Sequence, residues 1–247
     1  MLIRRGTGRY AGLISGASFD LDGVKYNVSA NSNGNGKPVT INGGKRPWGR
    51  MSFDVAAHTN NSITFVVFDF QRNGFPGTAV SSLTHTVTPY EWRIAYGVTP
   101  VVAKSPISLS TQVFWNLDGF ARESVKTVTD HMLHLPFSGL RLAVDEGRIP
   151  TGDITGNKKN STYDFWSASR PLGVGLIKAN TGYDDTFLVS RSQPWNWNTN
   201  PVATLVSPHS GIKLDLYTDQ EALHVLTWNE EDGEHVLCAS THVLFSC

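Results

Sequence analysis

Residues Ser18-Phe19-Asp20-Leu21-Asp22-Gly23-Val24-Lys25-Tyr26 carry the signal from which the fold class follows. On either side of Asp22-Gly23, apolar and polar side chains alternate with the period of a pleated strand. Asp-Gly tolerates the positive φ that both central residues of a tight hairpin turn require. Two antiparallel strands over 18–21 and 24–28 are therefore predicted.

The same texture continues outward. Stretches 62–70, 79–87 and 92–102 are β-branched and aromatic, the residue types that fit a pleated, half-buried surface. Further strands are predicted over 108–115, 127–135, 186–189, 202–206, 212–217 and 222–228. The Asn, Gly and Pro of 31–38 and 193–201 read as surface loops. Helical periodicity is nearly absent, and there is no internal repeat, linker or charge block. Many short strands at this spacing predict an all-β sandwich or barrel in one domain spanning 1–247.

Composition narrows the partners. Lys+Arg and Asp+Glu are both 21, giving zero formal net charge, and charged residues make up only 17% of the 247. A nucleic-acid partner would call for a basic stripe that this balance does not supply. No apolar run approaches the roughly 18 residues needed to span a bilayer, so no membrane partner is read either. Residues 1–8 carry Arg4 and Arg5 with no apolar segment behind them, which is not a secretory signal. The compartment stays open: cytoplasmic as the sequence stands, secreted if a longer N-terminus precedes it. Oligomeric state is open too.

Familiar chemical motifs fail on their spacing. Asn33-Gly34-Asn35-Gly36-Lys37 lacks the upstream glycine of a phosphate loop, and Pro38 stands where a magnesium-binding hydroxyl belongs. His131 and His134 fall in a strand-like run, where residues three apart face opposite sides and cannot share a metal. His235, Cys238, His242 and Cys247 are zinc-ligand types without paired knuckle spacing, so no metal site is assigned. Seven tryptophans offer flat faces suited to a pyranose ring, but composition does not choose among them.

An ordered series of segments resembles the aldose 1-epimerase (galactose mutarotase-like) family, its fungal-type branch especially. Gly8-Arg9-Tyr10-Ala11 is similar to the family's G-R-Y-A, and Ile41-Asn42-Gly43-Gly44 to its L-H-G-G. Gly74-Phe75-Pro76-Gly77 matches G-F-P-G. The run 111–120 resembles T-x-H-x-Y-F-N-L, and Ile149-Pro150-Thr151-Gly152-Asp153-Ile154 resembles the family's I-P-T-G turn. Tyr163-Asp164-Phe165, then Gly182-Tyr183-Asp184, then 217–227, resembling T-x-E-P-x-x-Q-x-Y-T, complete a series covering about 8–229. The resemblance implies a β-supersandwich binding a monosaccharide in a cleft and interconverting its anomers by acid–base ring opening, without a cofactor.

The family's site residues carry over unevenly. Asp184 keeps the sugar-binding Asp of the G-Y-D motif. Asn42 and Gln112 replace two histidines, Gln220 replaces the Glu of T-x-E-P, and Leu13 stands where an Arg is usual. Asn and Gln exchange hydrogen bonds but do not titrate near neutral pH. A pocket of Asn42, Gln112, Asp184 and Gln220 is thus expected to hold sugar hydroxyls without the family's own proton relay. His224, four residues beyond Gln220 and on its face if both lie in one strand, is the candidate acid or base alongside Asp184. Glu221, facing the other way, reads as a solvated carboxylate. The alternatives carried forward are a binding protein without catalysis and an isomerase recruited to a non-sugar substrate. Family members also have strands before 8 and after 229, where 230–247 looks atypical. A chain short at both ends is expected to leave sheet edges unpaired and to be aggregated, oligomeric or only marginally stable, with 236–245 able to supply one strand.

Overall fold

The computed structural model describes residues 2–3, 7–119, 127–175, 182–228 and 242–246. Strands β1 (Leu2–Ile3), β2 (Leu13–Ser15), β3 (Ser18–Leu21), β4 (Val24–Asn27), β5 (Ser32–Gly34), β6 (Lys37–Ile41), β7 (Asp54–His58), β8 (Ser62–Phe70), β9 (Thr78–Thr88) and β10 (Glu91–Pro100) come first. They are followed by β11 (Val113–Trp115), β12 (Met132–His134), β13 (Leu140–Val144), β14 (Pro150–Gly156), β15 (Arg170–Pro171), β16 (Asp184–Leu188), β17 (Ala203–Val206), β18 (Lys213–Leu216), β19 (Ala222–Trp228) and β20 (His242–Ser246). The chain is a mostly β fold, as its alternation predicts. Its contacts divide into two compact units.

One unit comprises Arg5–Ser110 with Glu146–Ile149. Its sheets are the β3–β4 hairpin, the order β2-β6-β5, and the antiparallel order β10-β9-β8-β7. The hairpin closes as read, with Asp22 at φ 51° and Gly23 at φ 79°. A second hairpin of the same kind joins β5 to β6 through Asn35 (φ 49°) and Gly36 (φ 74°), in a stretch the sequence had marked as loop. The Asn-Gly pair is itself a hairpin signal, and the polar strands around it concealed the pairing.

The G-R-Y-A and G-F-P-G segments meet inside this unit. Arg9 is 1% exposed. Its Nε donates to Asp69 Oδ2 at 3.1 Å, and its Nη1 to the carbonyls of Pro76 (2.7 Å) and Gly77 (2.9 Å) and to Ser105 Oγ (3.0 Å). Trp48 Nε1 donates to the same Asp69 oxygen at 2.7 Å. Gly74 is required where β4 ends: a Cβ there would lie 2.1 Å from the Asn27 carbonyl, and φ is +86°. The signature arginine is therefore a buried tie among 9, 69, 76–77 and 105, and it supports small clusters around Phe75 and around Trp48, Val67 and Ala79.

The other unit comprises Met1–Arg4, Thr111–Asp145 and Pro150–Cys247. Its sheets run β1-β11-β20-β19-β16-β13-β14 and β15-β12-β17-β18. Leu133, Ala203 and Leu205 of the smaller sheet and Phe187, Leu223 and Val225 of the larger share one core with Phe165, Leu172 and Tyr183. This is a sandwich: two sheets burying their apolar faces against each other. The tail read as atypical contributes β20, paired on one side with β11 and on the other with β19. The stretch 150–156, read as a turn, is strand β14 paired to β13.

Replacing Arg9 by Met should leave the Asp69 carboxylate buried with its Trp48 and Arg72 N–H donors but without its cation. Removing one partner of a buried ion pair costs about 3–5 kcal/mol. Urea denaturation of Arg9→Met is expected to show a loss of that order with an unchanged slope, and a loss below about 1 kcal/mol would contradict the buried-tie reading.

Candidate active site

In β16 and β19 the period-two pleat decides which side chains leave the core. Asp185 and Phe187 point inward on β16, as do Leu223 and Val225 on β19. Asp184 and Thr186 on one strand, and His224 on the other, are thereby thrown onto the opposite face. Thr186 and His224 are direct antiparallel partners, and Asp184 lies one diagonal away.

The imidazole of His224 is held at both ends. Its Nε2 is 2.9 Å from Asp184 Oδ1, and its Nδ1 is 2.9 Å from Thr186 Oγ1. With Asp184 ionised, Nε2 donates to the carboxylate, and Nδ1 of the neutral ring accepts from the Thr186 hydroxyl. The protonated ring donates at both ends. His224 can therefore gain or lose a proton while keeping its orientation, the property a general acid or base needs. The side chains of His224 and Asp184 are 30% and 46% exposed, so a solute can reach them. Thr186, absent from the sequence reading, is the third member. Its signal is the alternation of Asp184-Asp185-Thr186-Phe187, which puts it on Asp184's face.

The other sequence candidates distribute unevenly. Val113, Phe245, Val225 and Asp185 form one row across β11, β20, β19 and β16. Gln112, immediately before β11, falls in line with the neighbouring row of His224 and Thr186. Two inter-strand spacings, roughly 10 Å, separate it from His224. Gln220 departs from expectation. The strand begins only at Ala222, the partner of Leu188, so Gln220 and His224 do not share a strand face. Gln220 lies beyond the ladder end opposite Asp184, with its Nε2 donating to Asp219 Oδ1 at 2.7 Å. Glu221 is exposed, as read. Asn42 belongs to the other unit, at φ 53°, with its Oδ1 accepting the Gly12 N–H at 3.0 Å. An Asn side chain that tolerates left-handed backbone and bonds a loop locally explains the residue at this position. The neighbouring Gly43 is obligatory, because a Cβ there would lie 2.3 Å from the Gly8 carbonyl.

The aldose 1-epimerase family model matches residues 6–243. This chain belongs to the aldose 1-epimerase family. It is 51% identical to Epimerase FSL3 of Gibberella zeae over 91% of this chain and 57% of that protein. It is 32% identical to a probable aldose 1-epimerase of Arthroderma benhamiae over 92% of this chain and 56% of that one. The chain thus spans little more than half the length of these relatives. A GalM/aldose epimerase homologue from C. elegans shares the fold with TM-score 0.80 at 24% identity, covering 98% of this chain and 71% of the other. A galactose 1-epimerase from Lactobacillus acidophilus does so with TM-score 0.76 at 17% identity, covering 98% and 69%.

The aldose 1-epimerase segment 111–120 leads into a second polar cluster, which is closed to solvent. His131 is fully buried, and its Nε2 accepts the Leu117 N–H at 3.0 Å, so the neutral ring carries its proton on Nδ1. Asp118 accepts the Ser207 hydroxyl in a short hydrogen bond. His131 precedes β12 and His134 ends it, so the two do not combine. Among the described residues no group of three or more His, Cys, Asp or Glu is placed to hold a metal. His235, Cys238 and Cys247 lie outside the described residues.

Burial lowers the His131 pKa from 6.5, outweighing the opposing pull of Asp118. Just below pH 6.5 the unfolded chain binds a proton that the folded chain refuses, so stability falls as pH drops from 6.5 toward the folded pKa and is unaffected above it. His131→Gln keeps an acceptor for the Leu117 N–H and should flatten that slope. Denaturation midpoints between pH 5 and 8 measure it, and an identical slope in the variant would rule out His131 as its source.

Proposed function

We propose that this chain handles a monosaccharide on the Asp184–His224–Thr186 face and interconverts its α and β anomers by acid–base ring opening. The observation that carries the reading is the double hydrogen bonding of an accessible His224, beside the Asp that matches the family's sugar-binding position. Membership of the aldose 1-epimerase family supports sugar anomer interconversion at family level. Relatives named maltose epimerase and galactose mutarotase point to sugars as the substrate class.

Ring opening moves two protons: one leaves the anomeric hydroxyl and one arrives at the ring oxygen. In the proposed arrangement the Asp184 carboxylate accepts the first. The second comes from the Thr186 hydroxyl, which is re-protonated in the same step by the imidazolium Nδ1–H of His224. Rotation about C1–C2 exposes the other carbonyl face. Closure then reverses both transfers, returning the protons to the anomeric oxygen and to His224. No cofactor enters this scheme. Gln112, in line with the row of His224 and Thr186, supplies a neutral hydrogen-bonding partner for sugar hydroxyls.

A second reading is sugar binding without efficient turnover. It is favoured by Asn42, Gln112 and Gln220, non-titrating residues where the family carries His, His and Glu. The two readings part in an NMR time course of α-to-β conversion with a panel of aldoses. Catalysis predicts acceleration over buffer, lowered about 10²–10⁴-fold in His224→Gln, the usual worth of a positioned acid or base. Wild-type protein that binds aldoses yet leaves the rate at that of buffer establishes the binding reading. Acceleration unchanged in a folded His224→Gln refutes the relay.

A further inference from the structure

The structure distinguishes the tryptophans that composition could not. Trp48 is buried with its Nε1–H committed to Asp69. Trp92 stacks on His85 with ring centroids 5.6 Å apart, and Trp166 donates Nε1–H to the Asn157 carbonyl at 2.8 Å. Trp115 packs against the core of the sandwich. Trp195, by contrast, is 72% exposed, on the single 3₁₀ turn Pro194–Asn196. Trp195 shares the loop with Trp197, the other residues being polar or proline, and its exposed ring is an aromatic face open to a ligand.

The loop around it, 190–201, is anchored by the backbone. Ser190 N–H donates to the Phe137 carbonyl at 2.9 Å, and Val189 N–H to that of Glu221 at 2.8 Å. Arg191 clamps the facing segment, with Nη1 on the Thr218 carbonyl at 2.5 Å and Nη2 on that of Gln220 at 2.9 Å. Against this frame lies a cavity of about 160 Å³ walled by Phe137, Arg191, Gln193, Asn196, Thr199 and Asn200. Asn196 Nδ2 donates to Gln193 Oε1 at 2.9 Å, which orders two of the carboxamides before anything binds.

The chemistry of the wall selects the ligand. Carboxamides and a hydroxyl both donate and accept, as vicinal sugar hydroxyls do. Phe137 offers one apolar patch, and no carboxylate is present to repel or to coordinate. Arg191 has five N–H groups and uses only some of them on the two carbonyls. A cavity of roughly 150 Å³ holds an unsubstituted ring such as benzene. This one opens to solvent, so one pyranose can enter ring-first with its outer hydroxyls in water, and a longer stretch of sugar cannot be enclosed.

We propose that the 190–201 loop is a second carbohydrate-binding site, which takes one pyranose ring of a glycoside or oligosaccharide, with Trp195, set in sequence between the wall residues Gln193 and Asn196, as its aromatic contact. It lies at the Leu188–Ala222 end of the β16–β19 ladder, four residues or roughly 13 Å along the strand from Asp184. It does not depend on the proton relay proposed for that residue.

The test titrates the full chain with methyl β-D-glucopyranoside and methyl β-D-galactopyranoside, whose blocked anomeric centres exclude turnover, and follows backbone amide and Trp195 indole resonances. Saturable shifts are expected across 191–200. They should persist in Asp184→Asn/His224→Gln, which removes the relay, and should weaken at least about fivefold in Trp195→Ala and in Asn196→Ala, with partial recovery in Trp195→Phe. Trp195 is exposed, so its replacement leaves the fold testable by an otherwise unchanged spectrum. Absence of shifts in 191–200 with either glycoside, shifts indifferent to both loop variants, or loss of the loop shifts in the relay variant would each overturn the second site. None of these outcomes bears on whether His224 catalyses anomer exchange.

Discussion

Burial of Phe187, Leu223 and Val225 against the smaller sheet is the constraint on which the candidate site depends. A strand has a side-chain period of two, so a slip of one residue would send His224 and Thr186 into the core and expose these three. The apolar face therefore sets the register, and the register delivers Asp184, Thr186 and His224 to one face at hydrogen-bonding range. Positioning these groups costs the chain nothing beyond what sandwich formation already demands. Placing them on strands rather than on loops also limits their drift.

The signature motifs divide by the work they do. Arg9 of G-R-Y-A and the carbonyls of G-F-P-G are bound to each other in a solvent-free knot with Asp69. Gly43 and Gly74 are held by backbone that leaves no room for a Cβ. Tyr183, next to Asp184, is buried with its hydroxyl on the Thr162 carbonyl at 2.9 Å, and burial raises its pKa above the ordinary phenol value. Motif identity through these residues certifies the fold. It does not certify the reaction, which rests on the few positions that face solvent.

Long strands with an uninterrupted pattern were legible in sequence. The readings 62–70 and 222–228 coincide with β8 and β19, because neither run is interrupted by a glycine, proline or asparagine. The reading 127–135 shrank to Met132–His134, since Val128 accepts the His131 N–H and turns the chain just before the strand. β-branched residues suit such a turn as well as a strand, and nothing local separates the two. Strands β5 and β14 escaped because glycine, proline and polar residues mark loops on average yet tolerate edge pairing. Of the candidate site, Asp184 was legible through resemblance, His224 through its place in the segment 217–227, and Thr186 only through register. Gln220 was misplaced because the i to i+4 rule presumed a strand that starts two residues later.

What remains is a question of proton bookkeeping rather than of architecture. Amides at 112 and 220 can hold hydroxyls but cannot carry a proton between turnovers. On the proposed relay, ring opening draws on His224, an accessible imidazole whose two nitrogens are both engaged. That engagement is not by itself an obstacle. A histidine bonded at one end to a carboxylate and at the other to a hydroxyl can pass charge through the hydroxyl without moving. The cost is a longer proton path, since the hydroxyl must exchange its own hydrogen as it receives another. A direct imidazole donor avoids that extra transfer. The physical expectation is a site whose sugar recognition is better preserved than its speed, with the balance set by how closely the Thr186 hydroxyl approaches the ring oxygen.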